Sequence, residues 1–367
     1  MITLRDVARA SQVSHASVSI VLNNAPLARY IPDATKARIL AAAQRLGYRP
    51  NQLARSLRHQ HSHMVGLLVF DLLDPFCAGV LEGAVSSLYE SSYLPILADV
   101  RNDRPRFERY LEMLLQRRVE GLVVLANWLF IDIAMIADLA GSRIPIVLVG
   151  TRLAQGGVRT VITDNVAGAR LGLGHLFELG HRQIAFLRGP HALADAAMRW
   201  RGIQTEARRR KLALDMRLVK DLPAAPDAFS SFSAGQQLTR ELLAGPVPFS
   251  ALMAYDDMTA LGAMRAVIES GRRVPDDCSI LGFDDIAAAP LGNPPLSTIR
   301  QPMAQLGSCA VEWVLEEMQQ PKQSPGVHPR GKANQGMLKR LPPELVVRGS
   351  TGRIQISTPP GRGRRKT

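Results

Sequence analysis

Cysteine, aromatic residues and long apolar runs are all scarce in this 367-residue chain, and each scarcity removes a class of function. The three cysteines, Cys77, Cys278 and Cys309, are odd in number, far apart and without metal-ligand spacing. That excludes a disulfide framework and a metal centre and points to reduced thiols in the cytosol. No stretch approaches the roughly 18 uninterrupted apolar residues of a spanning helix, so no membrane contact is expected. A charged-then-apolar leader is missing from the start, so export is not expected either. There is no phosphate loop and no Ser/His or Cys/His arrangement in sequence, and GLGHLFELG (172–180) reads as helix interior rather than a dinucleotide turn. No resident cofactor is therefore expected.

What is present is 46% hydrophobic residues, enough for one small and one or two ordinary domains. Positive charge is concentrated at the ends. Residues 1–60 hold nine Lys and Arg against two acids, residues 321–367 hold eleven against one, and the middle is slightly acidic. A basic head on a near-neutral body argues for phosphate contact by the head; alternatively its charges are simply solvated.

The head reads as a helix-turn-helix. Thr3 and Asp6 have capping-box spacing, and Leu4, Val7 and Ala8 give the first helix an apolar face. After the turn at Gln12-Val13-Ser14, Ser14 caps a second helix whose Val18, Val21 and Leu22 point inward. That leaves His15, Ala16, Ser17, Ser19 and Ile20 outward, the position from which such a helix reads base edges in a major groove. A third helix, 33–46, is expected to cover the other two with Ile39, Leu40, Ala43 and Leu46, ending at Gly47.

The neck follows. Pro50 starts a helix that runs only from Asn51 to Arg58, below the roughly 12 to 15 residues an isolated helix needs in water. A partner copy and DNA are the supports it lacks. Leu57 between Arg55 and Arg58 has the composition of a minor-groove wedge.

Beyond residue 63, strands and helices alternate. MVGLLVF, LPILADV, GLVVLA and IPIVLVG form one set; TVITDN, HRQIAFLRGP, ALMAYD and SILGFDD form a second. Apolar runs without alternation suit parallel strands covered on both faces, hence two doubly wound α/β lobes. Ligands of such sheets bind outside the carboxyl ends of the strands, so the polar residues there are candidates: Asp71, Asp74, Asp99, Thr151, Asp164, Asp256, Asp257, Asp284 and Asp285. Phe76, and Phe229 or Phe232, offer stacking faces. Arg199, expected to open a helix over 199–210, offers a forked donor. Asp164, Asp257 and Asp285 are read instead as helix caps or arginine partners.

DVARASQVSHASVSIVLN, RILAAAQRLGYRPNQLARSL and DDIAAAPLGNPPLSTIRQP together resemble the LacI/GalR family of bacterial transcription regulators, from Thr3 to about Thr351. The resemblance implies a homodimeric regulator, most simply a repressor, that binds double-stranded operator DNA and is controlled by a small effector, a sugar or related metabolite. Its body would be a two-lobed periplasmic-binding-protein-like domain. Residues 1–46 would be the DNA-binding head, 47–62 the hinge and 63–350 the effector domain. Lobe 1 would take 63–160 and 291–320, lobe 2 would take 161–290 and 341–350, and 351–367 would form a disordered basic tail. In the head, Ser14, His15, Ala16, Ser17, Ser19 and Ile20 would face DNA; in the hinge, Asn51, Ala54, Arg55, Leu57 and Arg58. Effector contacts would be Phe76, Asp99, Arg199, Phe229, Phe232, Asp256 and Asp284. Two departures bear on the operator: Ile20 stands where arginine is usual, and Gln12 at a turn position often held by glycine. Asp74, Asp99 and Asp256 stand where asparagine is usual, which makes the crevice more anionic and favours an amine or polyol over a phosphate or carboxylate. The competing readings are an enzyme using Asp256 and Asp284 as an acid/base pair and a pure solute-binding protein.

Overall fold

The computed structural model describes residues 2–23, 25–48, 61–125, 144–150, 158–191, 193–223, 228–319 and 338–354. They fall in two compact units, Met1–Ser62 and His63–Thr367. The expected hinge residues Asn51, Ala54, Arg55, Leu57 and Arg58 lie outside the described residues, as do Thr151, residues 320–337 and most of the tail.

The first unit holds α1 (Leu4–Ser11), α2 (His15–Leu22) and α3 (Asp33–Leu46). The capping box is present at α1: Thr3 accepts from the Asp6 amide while Asp6 accepts from the Thr3 backbone at 2.9 Å. Val7, Val18 and Ile39 are fully buried at the centre of the three helices, with Ala8, Ala42 and Ala43 around them. Leu40 is not part of this core. It is 54% exposed, because α3 turns Ile39, Ala42 and Ala43 inward and places their neighbour outside. Gln12 closes α1 with φ 53°, the left-handed region in which a side chain costs about 1–2 kcal/mol.

The second unit contains two six-stranded sheets. In chain order its elements are β1 (Met64–Val69), α4 (Pro75–Glu90), β2 (Leu94–Asp99), α5 (Arg104–Gln116), β3 (Gly121–Leu125), β4 (Ile146–Val149), β5 (Arg159–Thr163), α6 (Asn165–Glu178), β6 (Ile184–Arg188), α7 (Ala194–Arg210), β7 (Val219–Asp221), α8 (Ala228–Ala244), β8 (Ala251–Ala254), α9 (Asp257–Glu269), β9 (Ser279–Asp284), β10 (Ser297–Arg300), α10 (Met303–Gln319), β11 (Leu338–Leu341) and β12 (Glu344–Val346). The first sheet runs β11-β5-β4-β3-β1-β2 and is parallel throughout. The second runs β12-β10-β9-β8-β6-β7, with only β12 antiparallel. Their central strands are buried along their whole length, as uninterrupted Val, Leu and Ile runs require.

Four details depart from the expectations. TVITDN supplies β5 to the first sheet, not the start of the second, so the chain leaves lobe 1 after Thr163. Of the span 291–320, residues 297–300 belong to the second sheet and only α10 returns to lobe 1, where it packs on α4. The chain end, expected to return to lobe 2 over 341–350, first adds β11 to the first sheet beside β5 and then β12 to the second beside β10. Finally, 351–354 is not a loose tail. Thr351 is buried, the Gly352 carbonyl lies 3.0 Å from His181 Nε2, and the Ile354 amide donates to the Leu179 carbonyl.

Helix pairs in both lobes approach through glycine. A Cβ on Gly307 of α10 would stand 2.0 Å from the Val80 carbonyl oxygen of α4, and one on Gly262 of α9 would stand 2.0 Å from the Phe232 carbonyl oxygen of α8. The described residues include no helix long and apolar enough to cross a membrane.

Candidate functional site

Two surfaces carry functional geometry, one in each unit. On α2, Ser14 caps the helix by accepting from the Ser17 amide at 3.1 Å, and the two hydroxyls meet at 2.9 Å. His15 and Ala16 are exposed at the first turn; Ser17, Ser19 and Ile20 are half-buried. The Asn23 side chain donates to the Ser19 carbonyl at 2.8 Å and approaches its hydroxyl at 3.2 Å. Of the six predicted readers, Ser14, His15 and Ala16 are thus the exposed ones.

In the second unit a cleft enclosing about 450 Å³ of space, part of it open to solvent, lies where strand ends of both sheets converge. Asp74, Phe76, Gly150 and Thr163 line it from lobe 1; Asn165, Asp195, Arg199, Tyr255, Asp256, Asp284 and Gln301 line it from lobe 2.

Arg199 is the centre of the lobe 2 wall. It is buried, and it sits in the second turn of α7 rather than opening a helix, since α7 begins at Ala194. Its Nε donates to Asn165 Oδ1 at 2.8 Å, Nη1 donates to the Tyr255 carbonyl, and Nη2 lies 3.6 Å from both Asp195 and Asp284. The guanidinium stacks 3.7 Å from the Phe283 ring centroid and 4.6 Å from that of Tyr255. Burial works against its charge, but the Tyr255, Asp195 and Asp284 oxygens outweigh it and raise its pKa. Tyr255 in turn donates to Asp195 at 2.8 Å. Arg199 is therefore a fixed, preorganised donor.

The carboxylates have unequal roles. Asp74 and Asp256 are N-caps: Asp74 Oδ1 accepts from the Phe76 and Cys77 amides at 2.8 and 3.3 Å, and Asp256 Oδ1 accepts from the Thr259 amide at 2.6 Å. Burial, then the charge of Asp256, pushes Asp74 up to about 7, and burial also raises Asp256 and Asp284. Asp284 accepts from Gln301 Nε2 at 2.6 Å and has φ 128°, a conformation costly for any residue but glycine. Its neighbour Asp285, at φ 62°, is turned away to pair with Arg300 and Arg348 at 2.7 and 2.6 Å. The strained pair thus sends one carboxylate into the cleft and the next into a salt bridge.

Phe76, Asp256 and Asp284, which follow or end strands, and Arg199 on α7 therefore meet in the cleft. Asp99 does not: it ends the edge strand β2, is absent from the cleft lining and pairs with Arg101 at 2.8 Å. Phe232 is not in the cleft lining, because it lies on α8 where its carbonyl faces Gly262. The Phe229 side chain falls outside the described residues. Asp164 caps α6 through the Ala167 amide, and Asp285 pairs with arginines, both as read from sequence. Asp257 does neither; buried, it accepts from Thr298 Oγ1 and from the Ile286 amide at 2.9 Å. Asn165, Asp195, Tyr255 and Gln301 were missed. Tyr255 and Gln301 directly follow β8 and β10, and Asn165 follows β5 by two residues; Asp195 is hidden in an alanine-rich helix.

Among the described residues no cluster of His, Cys, Asp or Glu is arranged to hold a metal ion. His181 Nδ1 does meet Ser250 Oγ at 2.8 Å, but its other nitrogen faces the Gly352 carbonyl, so the pair seals residues 350–352 onto lobe 2 and is not part of the cleft.

Comparison with known proteins places both units. Residues 3–51 match the bacterial regulatory proteins of the lacI family, and residues 173–351 match the periplasmic binding protein-like domain. The ribose operon repressor of Escherichia coli (strain K12) is 30% identical over 326 residues, 88% of this chain and 94% of the repressor. A crystal structure of the Lac repressor dimer bound to operator and the anti-inducer ONPF superposes with a TM-score of 0.81 at 29% identity, covering 96% of this chain and 99% of that one. A LacI family transcriptional regulator from Enterococcus faecium with bound ribose has a TM-score of 0.65 at 26% identity, covering 80% of this chain and 100% of that one. A capped helix-turn-helix unit, two parallel-sheet lobes around an arginine-centred cleft, and this similarity over nearly the full chain identify it as a member of the lacI family of bacterial regulatory proteins.

Proposed function

We propose that the chain is a transcriptional repressor that binds double-stranded operator DNA as a homodimer and is controlled by a small polar metabolite bound in the cleft, without enzymatic turnover. The observation that carries this reading is the joining, in one chain, of a helix-turn-helix whose α2 first turn faces solvent to a body whose cleft is lined from both lobes around Arg199. Recognition falls to Ser14, His15, Ala16, Ser17, Ser19 and Ile20, with Ala16 and Ile20 suited to thymine methyl groups and His15 to a base edge. Asn51, Ala54, Arg55, Leu57 and Arg58 form a hinge supported by the partner copy and the minor groove.

The mechanism is a coupling free energy. A ligand held by Asp74 and Phe76 on one side and Arg199, Asp256 and Asp284 on the other prefers one angle between the lobes, and that angle sets the separation of the paired hinges. The relatives support the repressor class: those compared are an operon repressor, an operator-bound repressor dimer and a ribose-bound regulator. Fluorescence anisotropy with candidate operator duplexes tests it. Affinity should fall steeply with salt, since about six to ten phosphates are neutralised, and should change when a cleft ligand is added. Affinity independent of both salt and every cleft ligand sinks the reading.

A further inference from the structure

The cleft is anionic beyond what its architecture uses. Four carboxylates line it, Asp74, Asp195, Asp256 and Asp284, and among the described lining residues Arg199 is the one cation. Asp195 and Asp284 share Arg199 and have further neutral donors in Tyr255 and Gln301. Asp74 and Asp256 form no ion pair among the described residues. Each uses Oδ1 to cap its own helix, Asp74 from the Phe76 and Cys77 amides and Asp256 from the Thr259 amide, with the Thr259 side chain also helping to hold the Asp256 charge. They belong to opposite lobes, at the starts of α4 and α9, and the charge of Asp256 is felt at Asp74. Thr163, a buried residue, lines the same cleft and its hydroxyl has no partner among the described residues, and Phe76 supplies an apolar face. An unpaired carboxylate in such surroundings is costly unless a cation joins it. A tetrahedral ammonium carries three donors and a single charge, which suits two carboxylates lining one cleft from opposite lobes and leaves one donor over.

Resting on the regulator reading above, we infer that the effector is a small hydroxylated amine, cationic at neutral pH, whose ammonium bridges Asp74 of lobe 1 and Asp256 of lobe 2. Its hydroxyls take Arg199, Asp284 and the orphaned Thr163 oxygen. The cation joins the lobes by replacing a repulsion with two attractions.

Matched pairs test this on the full-length protein by isothermal titration calorimetry at pH 8 and low salt: glucosamine against glucose, and glucamine against sorbitol, with N-acetylglucosamine as the uncharged amide. The amine of at least one pair should bind at least about tenfold tighter than its hydroxyl counterpart, equivalent to about 1.4 kcal/mol, and N-acetylation should remove the gain. Asp74→Asn and Asp256→Asn keep a helix-capping side chain and should each erase that preference. The assignment is overturned if the neutral member binds as tightly as the amine in every pair, if no amine binds measurably, or if both Asn variants keep the preference. The same titrations are repeated with operator duplex present. A neutral sugar that binds and alters operator affinity would overturn the amine while leaving the regulator reading standing; loss of ligand-dependent operator binding altogether would remove that reading instead.

Discussion

Replacing Asp74 with asparagine should stabilise the unliganded protein, and the gain should depend on pH. The carboxyl lies in the cleft, where burial and the charge of Asp256 push it up to about 7 from 3.8. Below pH 4 the folded and unfolded chains are both protonated at this position, and Asp74 costs nothing. Between pH 4 and 7 the unfolded chain loses a proton that the folded one keeps, so stability falls as pH rises; above 7 the loss is complete. One pH unit of displacement is worth about 1.4 kcal/mol, which sets a ceiling of about 4 kcal/mol. Asp74 keeps part of its surface open to the cleft, so water screens it and a gain of about 1–2 kcal/mol at pH 8 is expected. Asparagine preserves the cap on α4, because its side-chain oxygen accepts the same Phe76 and Cys77 amides. Urea unfolding followed by far-UV circular dichroism at pH 8 and pH 5 reads the effect. A variant no more stable than the parent at pH 8, or one whose advantage is as large at pH 5, refutes the reasoning.

Other perturbations should follow from the same geometry. Gln12→Gly relieves the left-handed residue between α1 and α2 and should raise the stability of the Met1–Ser62 unit by up to ~1 kcal/mol, read from the midpoint of its own unfolding transition; a lower midpoint would contradict it. Gly307→Ala places a methyl 2.0 Å from the Val80 carbonyl oxygen and should cost about 1–3 kcal/mol or more as α10 is forced off α4, whereas an unchanged denaturation curve would show that the helices yield freely. Arg199→Lys loses the planar fork that holds Asn165 and Tyr255 and should weaken cleft-ligand binding by about tenfold or more in calorimetry; retained affinity would remove Arg199 from the ligand contacts. Leu57→Ala should lower operator affinity in anisotropy while ligand affinity is kept, and equal operator affinity would discard the wedge.

The parts of the fold written in local chemistry were legible. Thr3 with Asp6, and Ser14 with Ser17, announce helix starts because capping needs only a few neighbouring residues. Unbroken Val and Leu runs announce buried parallel strands for the same reason. Asp99 was misjudged because a strand end says nothing about whether the strand is central or at the edge, and β2 is an edge. Leu40 was misjudged because an apolar residue beside Ile39 fits the helical period loosely, and only three-dimensional packing decides which of the two is covered. Asp256 and Asp284 were found because each follows or ends a strand, and Arg199 because a forked donor was expected near a helix start, although α7 begins five residues before it. Asn165 and Gln301 enter the cleft only because the chain changes sheets beside them, and no local spacing records such a change.

The backbone passes between the sheets at three places: after Thr163, between Arg300 and Met303, and between Leu341 and Glu344. Each passage is one or two residues long, and the first and third are tied where the Asp164 amide donates to the Leu341 carbonyl. Three such short threads side by side resist sliding and leave bending about their common line as the soft motion. Thr163 and Gln301 stand at two of these passages and also face the cleft, so whatever occupies it presses directly on the spine about which the halves turn.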